Sequence, residues 1–233
     1  MSSYLKWWDH RAAHTGDKYL AVSTMIQQRI IDTYGISADV VHSPVARSFG
    51  LAAEPVDDVL RWLGTDLAAA DRVDGSFYLC VSRLLPYKNV DRIIQAVAGS
   101  DRRLVVVGAG PEKERLAAMA PPNVLMLSGL TDGQMSWLYQ NCRALVASNY
   151  EDYGLTPVEA STLGKPTVTP RWGGFLDTVN EGITGVYFDR PEPTAIAEAL
   201  EELEALVFDP DKIRQHAEQF HRGAVRPTVV CGR

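Results

Sequence analysis

Between Phe77 and Phe188 the chain repeats one pattern six times: a short, β-rich apolar run followed by a segment of helical length. The runs are FYLCVS, RLVVVG, VLMLSG, ALVAS, PTVTP and GVYF. Runs that are apolar at nearly every position suit strands buried on both faces. Strands joined through helix-length connections lie parallel, because each helix carries the chain back to the edge it left. The expectation is an α/β fold, a Rossmann-like parallel sheet with helices on both faces. Several runs end in Gly, Ser or Pro, which places polar loops at the carboxyl ends of the strands, where open α/β sheets bind ligands.

The flanks are shorter. Tyr19 to Ser23 reads as a strand end, Ser23 as the cap of a helix through Tyr34, and Asp39 to His42 as a second short strand. Residues 46–75 are irregular except for a helix around Asp57 to Leu63 and read as an inter-domain connection; 76–190 hold the repeating unit. In 191–222, Pro193 opens a helix to about Leu206 and Asp209-Pro210 opens another to about Phe220. Residues 223–233 (GAVRPTVVCGR) read as an irregular tail. With 233 residues, 46% of them hydrophobic, the chain can bury one good core but is short for two full domains of this kind.

A net charge of -6 argues against nucleic acid as a partner and leaves room for a local basic pocket facing a small anion. Cys80, Cys142 and Cys231 form no CxxC pair and no even set, which suits a reducing compartment. No apolar run approaches the roughly 18 to 20 residues of a membrane span. The expected location is cytoplasmic, with contact at the inner face of the cell membrane as an extension of it.

Chemistry concentrates in two segments. Glu151-Asp-Tyr-Gly-Leu-Thr-Pro-Val-Glu159 follows the ALVAS run and enters a helix. Gly154 permits a tight turn beneath a ligand, and Thr156, Pro157 and Glu159 fit the N-cap, first and third positions of a capping box. The amides at such a helix start favour a phosphate. Taken alone, Glu159 could do no more than close the capping box and Glu151 could be a solvated loop residue. Val81-Ser-Arg-Leu-Leu-Pro-Tyr-Lys-Asn-Val-Asp91 follows the first run. Arg83 offers a planar fork and Lys88 a point charge, a pair able to neutralise a departing diphosphate, although both could equally be solvated turn charges.

In matching order and spacing, VSRLLPYKNVDRIIQAV, VVVGAGPEKERL, ALVASNYEDYGLTPVEASTLGKPTV, WGGFLDTV and EGITGVYFD resemble the landmarks of family 4 retaining glycosyltransferases, enzymes of the two-Rossmann-domain GT-B type. The resemblance covers roughly residues 17 to 220. It implies the carboxyl-terminal, donor-binding domain, with 1–45 as a remnant of the amino-terminal acceptor domain. It further implies that Arg83 and Lys88 hold the donor diphosphate, that Glu159 binds the ribose and that Glu151 hydrogen-bonds the transferred sugar. The amides of Tyr153, Gly154 and Leu155 would touch sugar and phosphate, the Ser128-Gly129-Leu130 turn would lie near the base, and Gly108 belongs to the donor-binding set. The implied donor is a nucleoside-diphosphate sugar, GDP-mannose in preference to a UDP-hexose, with no other cofactor and no metal. The implied acceptor is a saccharide or lipid-linked hydroxyl. Ser82, Tyr153 and Asp177 depart from the commoner Gly, Phe and Glu of the family, which bears on donor preference. Little sequence precedes Asp17 to build an acceptor domain, so the expectation is a fragment or truncated product, poor in catalysis alone.

Weaker signals have simpler readings. Gly108-Ala-Gly110 lacks the third glycine of a dinucleotide fingerprint, Lys113 standing there. Asp209-Pro-Asp211 resembles a metal-binding D-x-D but sits where aspartate caps helices. His10 and His14 have helical spacing without further ligands. Tyr4, Trp7 and Trp8 would form an exposed aromatic patch, read first as a former domain interface and otherwise as a surface for self-association or membrane-surface contact. Two other functions share the architecture: a nucleotide-sugar epimerase and a non-catalytic donor-binding module.

Overall fold

The computed structural model describes residues 3–45, 52–65 and 75–221. The tail at 223–233, Cys231 and parts of the 46–75 connection lie outside the described residues. Helix α1 spans Ser3–Ala13, followed by β1 (Leu20–Ala21), α2 (Thr24–Tyr34), β2 (Asp39–Val40) and α3 (Asp57–Leu63). The repeating unit then runs β3 (Tyr78–Val81), α4 (Val90–Val97), β4 (Leu104–Val107), α5 (Lys113–Met119), β5 (Val124–Leu127), α6 (Asp132–Asn141) and β6 (Leu145–Val146). It continues with α7 (Leu155–Thr162), β7 (Thr167–Pro170), α8 (Phe175–Thr178), β8 (Gly185–Phe188), α9 (Pro193–Ala205) and α10 (Pro210–Ala217).

All six expected runs form strands, and they join one sheet of order β5-β4-β3-β6-β7-β8 with every pairing parallel. The chain winds outward from β3 to β5, returns to the other side of β3 as β6, and winds outward again. Between β3 and β6 the winding direction reverses, and the carboxyl ends of two such strands are where open α/β sheets bind ligands.

Side-chain alternation along each strand supplies two cores. Tyr78, Cys80, Leu104, Val106, Val146 and Val168 face α4 and α9. In α4, Val90, Ile93, Ile94 and Val97 recur at the spacing of one helix face and are buried, each contributing about 1.5–3 kcal/mol by leaving water. On the opposite face Phe77, Leu79, Val105, Val107 and Leu145 meet α3, α6 and α7 through Leu60, Trp137, Leu138 and Ala160. Helix α3, inside the stretch read as a connection, therefore belongs to the packing of the second face.

The amino-terminal segment is smaller. β1 and β2 pair in parallel across α2, with Ser23 Oγ accepting from the Ile26 amide as the expected N-cap. This unit docks through Val45, which pairs with His221 and packs with Tyr153, Val158 and Phe220. Helix α1 buries none of its residues, and Tyr4, Trp7 and Trp8 are exposed. Asp209 caps α10 by accepting from the amides of Asp211 and Lys212, the capping role expected for it. Among the described residues no helix is long and apolar enough to cross a membrane, and no cluster of three metal-ligating side chains occurs.

Candidate functional site

The loop after β3 carries Ser82 to Asn89 and the loop after β6 carries Ala147 to Gly154, so the two segments singled out in the sequence meet at the carboxyl ends of β3 and β6. Asn89 ties them together. Its backbone adopts φ 51°, the left-handed region that asparagine tolerates better than most residues, and this closes the 3-10 turn Pro86–Lys88. Its Nδ2 donates to Ser148 O at 3.0 Å, and Ser148 Oγ donates back to Asn89 O at 2.8 Å.

That turn buries Lys88 and aims its ammonium at Glu151, with which it forms an ion pair. Lys88 Nζ also lies 5.0 Å from the centre of the Tyr87 ring, a cation–π contact. A buried ammonium needs a counter-charge, and here the half-exposed Glu151 supplies it. Arg83 is exposed at the start of the same loop. The two loops thus carry two cations, Lys88 and Arg83, and a carboxylate, Glu151, of which Lys88 and Glu151 are paired.

Glycines set how closely the loops approach. A Cβ on Gly110 would fall 2.3 Å from Leu84 O, and one on Gly108 would fall 1.9 Å from Ser82 O, so the glycine loop after β4 lies against the Arg83 loop. Gly108 acts here by admitting the neighbouring backbone. Gly154 has φ 84°, and a Cβ there would meet the Phe175 ring at 2.6 Å. Behind it Gly174 donates its amide to Glu151 O at 3.0 Å, and its own Cβ would strike the Tyr153 backbone.

This packing corrects the expected capping box. Gly154 occupies the N-cap position, α7 starts at Leu155, and no side chain caps it. Thr156 and Pro157 therefore fall inside the first turn, where the ring of Pro157 removes an amide that has no helical partner. Glu159 moves to the second turn. One of its oxygens accepts from Tyr139 Oη of α6 at 2.7 Å. Burial raises the pKa of Glu159 while the Tyr139 bond works against that rise. The Tyr139 hydroxyl, buried and beside this carboxylate, has its pKa pushed well up. Tyr153 is buried, donating its hydroxyl to Ser43 O at 2.9 Å, and Leu155 is exposed at the rim. Gly129 takes φ 71° in the turn before α6, with open space around it, and Leu130 packs onto the second core.

Sequence reasoning missed several contributors. Tyr139 holds Glu159 from twenty positions away. Asn149 is buried, and its Nδ2 has no hydrogen-bond partner. Asp177, noted in the sequence only as a departure from the family's glutamate, accepts at 2.6 Å from both the amide and hydroxyl of Thr24 at the start of α2. Asn89, at the end of PYKN, carried a legible signal, since asparagine often ends a turn in the left-handed region.

The doubly wound parallel sheet is the fold of solved GT-B glycosyltransferases. A glycosyltransferase from Rickettsia africae matches 96% of this chain and 64% of its own at a TM-score of 0.75 and 17% identity. Anabaena HepE in complex with UDP-glucose matches 95% of this chain and 65% of its own at a TM-score of 0.74 and 20% identity. The chain belongs to the family described as glycosyl transferases group 1, whose model matches residues 69–220. Among curated relatives, the GDP-mannose-dependent α-(1-6)-phosphatidylinositol monomannoside mannosyltransferase of Mycolicibacterium smegmatis is 29% identical over 211 residues, 83% of this chain and 54% of that protein. The D-inositol 3-phosphate glycosyltransferase of Acidothermus cellulolyticus is 30% identical over 173 residues, 64% of this chain and 38% of that protein. The chain thus spans about half the length, or less, of these curated relatives.

Proposed function

We propose that this chain binds a nucleoside-diphosphate sugar at the carboxyl ends of β3 and β6 and serves as the donor-binding half of a retaining hexosyltransferase. The observation that carries this reading is the buried Lys88 ammonium, held by Glu151 at the switch point of the sheet. In the proposed complex Arg83 and Lys88 take the diphosphate oxygens, with the amides of Tyr153, Gly154 and Leu155 at the start of α7 completing the cradle. Lys88 then has a second anionic partner, which frees Glu151 to accept from sugar hydroxyls. Glu159, fixed by Tyr139, accepts from the ribose, and the Ser128-Gly129-Leu130 turn borders the base.

In the reaction the bond between the anomeric carbon and the diphosphate oxygen breaks, and both of its electrons leave with the diphosphate. The acceptor hydroxyl oxygen attacks the anomeric carbon from the same face, and its proton passes to a departing phosphate oxygen. The charge that develops on the diphosphate is met by Arg83, Lys88 and the helix start, so this chain's own groups supply the stabilisation. We favour GDP-mannose as donor over a UDP-hexose. The likeness to the mycobacterial mannosyltransferase supports it, and so does a GDP-mannose-dependent α-mannosyltransferase of Corynebacterium glutamicum that is 33% identical over 110 residues. The acceptor is a saccharide or lipid-linked hydroxyl. A cytoplasmic site fits two buried cysteines in no disulfide, Cys80 and Cys142, the former with its pKa pushed up to about 12 by burial.

Calorimetric titration of GDP, UDP and their mannose and glucose conjugates into the chain tests this reading. Binding of one nucleotide family, lost in Arg83→Ala and Glu159→Ala, would support it. A folded chain that binds none of the four ligands would overturn it.

A further inference from the structure

Two large aromatic side chains stand exposed on the two segments that meet at the Glu151 backbone. Tyr150 directly precedes Glu151, and Trp172 directly precedes the Gly173-Gly174 pair that packs against the Glu151 backbone. The two rings meet with centroids 4.5 Å apart at an interplanar angle of 64°, and they remain 47% and 36% exposed. The edge-to-face contact fixes both rings without stacking them, so aromatic surface stays available. Close packing brings together the two backbone segments that carry these rings and Glu151, because a Cβ on Gly173 would fall 2.3 Å from Glu151 O.

A pyranose has the complementary chemistry. Its C–H groups form an apolar face that lies against an aromatic ring, and its hydroxyl rim donates to carboxylates. A second polar group occupies the same short segment. Asn149 is buried with an unpartnered amide Nδ2, and an orphan donor of this kind is unfavourable until something accepts from it. Tyr87, the other exposed aromatic nearby in sequence to the ion pair, already carries the Lys88 ammonium over its ring.

We propose that Tyr150 and Trp172 form a sugar-ring subsite, in which a pyranose packs on the aromatic pair and turns its hydroxyls toward Glu151. The subsite deepens the donor-site reading above and rests on it for the identity of the neighbouring pocket. The pyranose has two sources, the hexosyl group of the nucleotide sugar or a saccharide acceptor.

Nuclear magnetic resonance of the whole chain, observing tryptophan indole N–H signals with that of Trp172 assigned through Trp172→Phe, separates the cases. Three titrations are made: GDP and UDP alone, GDP-mannose and UDP-glucose, and methyl α-mannoside or methyl α-glucoside with and without diphosphate. A saturable shift of the Trp172 signal with nucleotide sugar beyond that caused by diphosphate assigns the subsite to the donor hexose. A shift with free glycoside assigns it to an acceptor. Trp172→Ala, checked for folding by its melting curve, then weakens the responding sugar ligand roughly tenfold, and Trp172→Phe restores most of that loss. If neither sugar-bearing ligand moves the Trp172 signal, the subsite proposal is overturned, whatever the diphosphates do. If the diphosphates fail to bind, the donor-site reading falls, and the free-glycoside arm still decides the subsite.

Discussion

The two ends of the six-stranded sheet handle charge in opposite ways. At the amino end Glu204 of α9 takes two bonds from Arg102, both at 2.9 Å, and a third from Tyr78 Oη at 2.7 Å. Arg102 and then Tyr78 hold the Glu204 carboxyl down to about 2, and burial with the same carboxylate pushes the Tyr78 hydroxyl up. At the carboxyl end Lys88 is buried on one carboxylate, Arg83 is exposed, Asn149 keeps an unpartnered amide, and burial holds Glu159 above its ordinary range. One end is a network whose groups satisfy one another. The other leaves charged and polar groups less completely satisfied, a contrast that the proposed nucleotide sugar would remove by pairing with them.

Substitutions can break or sharpen that contrast. The largest effect is expected at the backbone of the carboxyl end, where Gly154→Ala forces a Cβ into the Phe175 ring at a left-handed position. It should cost about 3 kcal/mol, a fall of roughly 10 °C in melting temperature. Lys88→Met removes the buried cation, and a charged hydrogen bond lost from a diphosphate should weaken binding about 10- to 100-fold in calorimetry. An unchanged affinity would remove Lys88 from the site.

Glu204→Gln tests the amino end and should cost about 1 kcal/mol near neutral pH without altering nucleotide binding. Because the folded carboxyl titrates at about 2 against an ordinary 4.5, the stability it supplies is full above 4.5 and is lost as pH falls toward 2. Melting curves of wild type and variant should therefore converge across that window.

Glu159→Gln should give the smallest and most diagnostic effect. A carboxyl with a raised folded pKa stabilises the fold while protonated, and that contribution is lost as pH rises. The glutamine still accepts from Tyr139, so the variant should be slightly more stable near neutral pH and lose the gain in acid. Nucleotide affinity should fall at the same time. A variant both more stable and a poorer binder would mark Glu159 as a residue kept for a ligand.

Legibility in the sequence followed the range of the forces. The six strands were readable because burial on two faces writes a continuous apolar run. Ser23 and Asp209 were readable as caps because a capping bond spans two or three residues. The capping box at Thr156 failed for the converse reason. A local pattern was present, but the left-handed Gly154, where Phe175 at the start of α8 leaves no room for a Cβ, takes the N-cap position and sets the start of α7 at Leu155. Glu151 and Lys88 were both marked for chemistry, yet their pairing across sixty-three positions depends on β3 and β6 being neighbours, a property of winding order. Tyr139 was hidden because a tyrosine on the buried face of α6 has the same pattern whether or not its hydroxyl holds a carboxylate.

The segment from Glu151 to Tyr153 sends three consecutive side chains to three separate places. Glu151 goes to Lys88, Asp152 to Arg29 of α2, and Tyr153 to the carbonyl of Ser43, while Glu151 O is held by the Gly174 amide. Such a segment measures its own length. A substitution at any one position removes one tie and leaves the others in register, whereas a single inserted or deleted residue would shift at least one neighbour out of its partner's reach. Divergence in this loop should therefore proceed by exchange of side chains at fixed length, and variants of altered length should be purged even where every individual residue is replaceable.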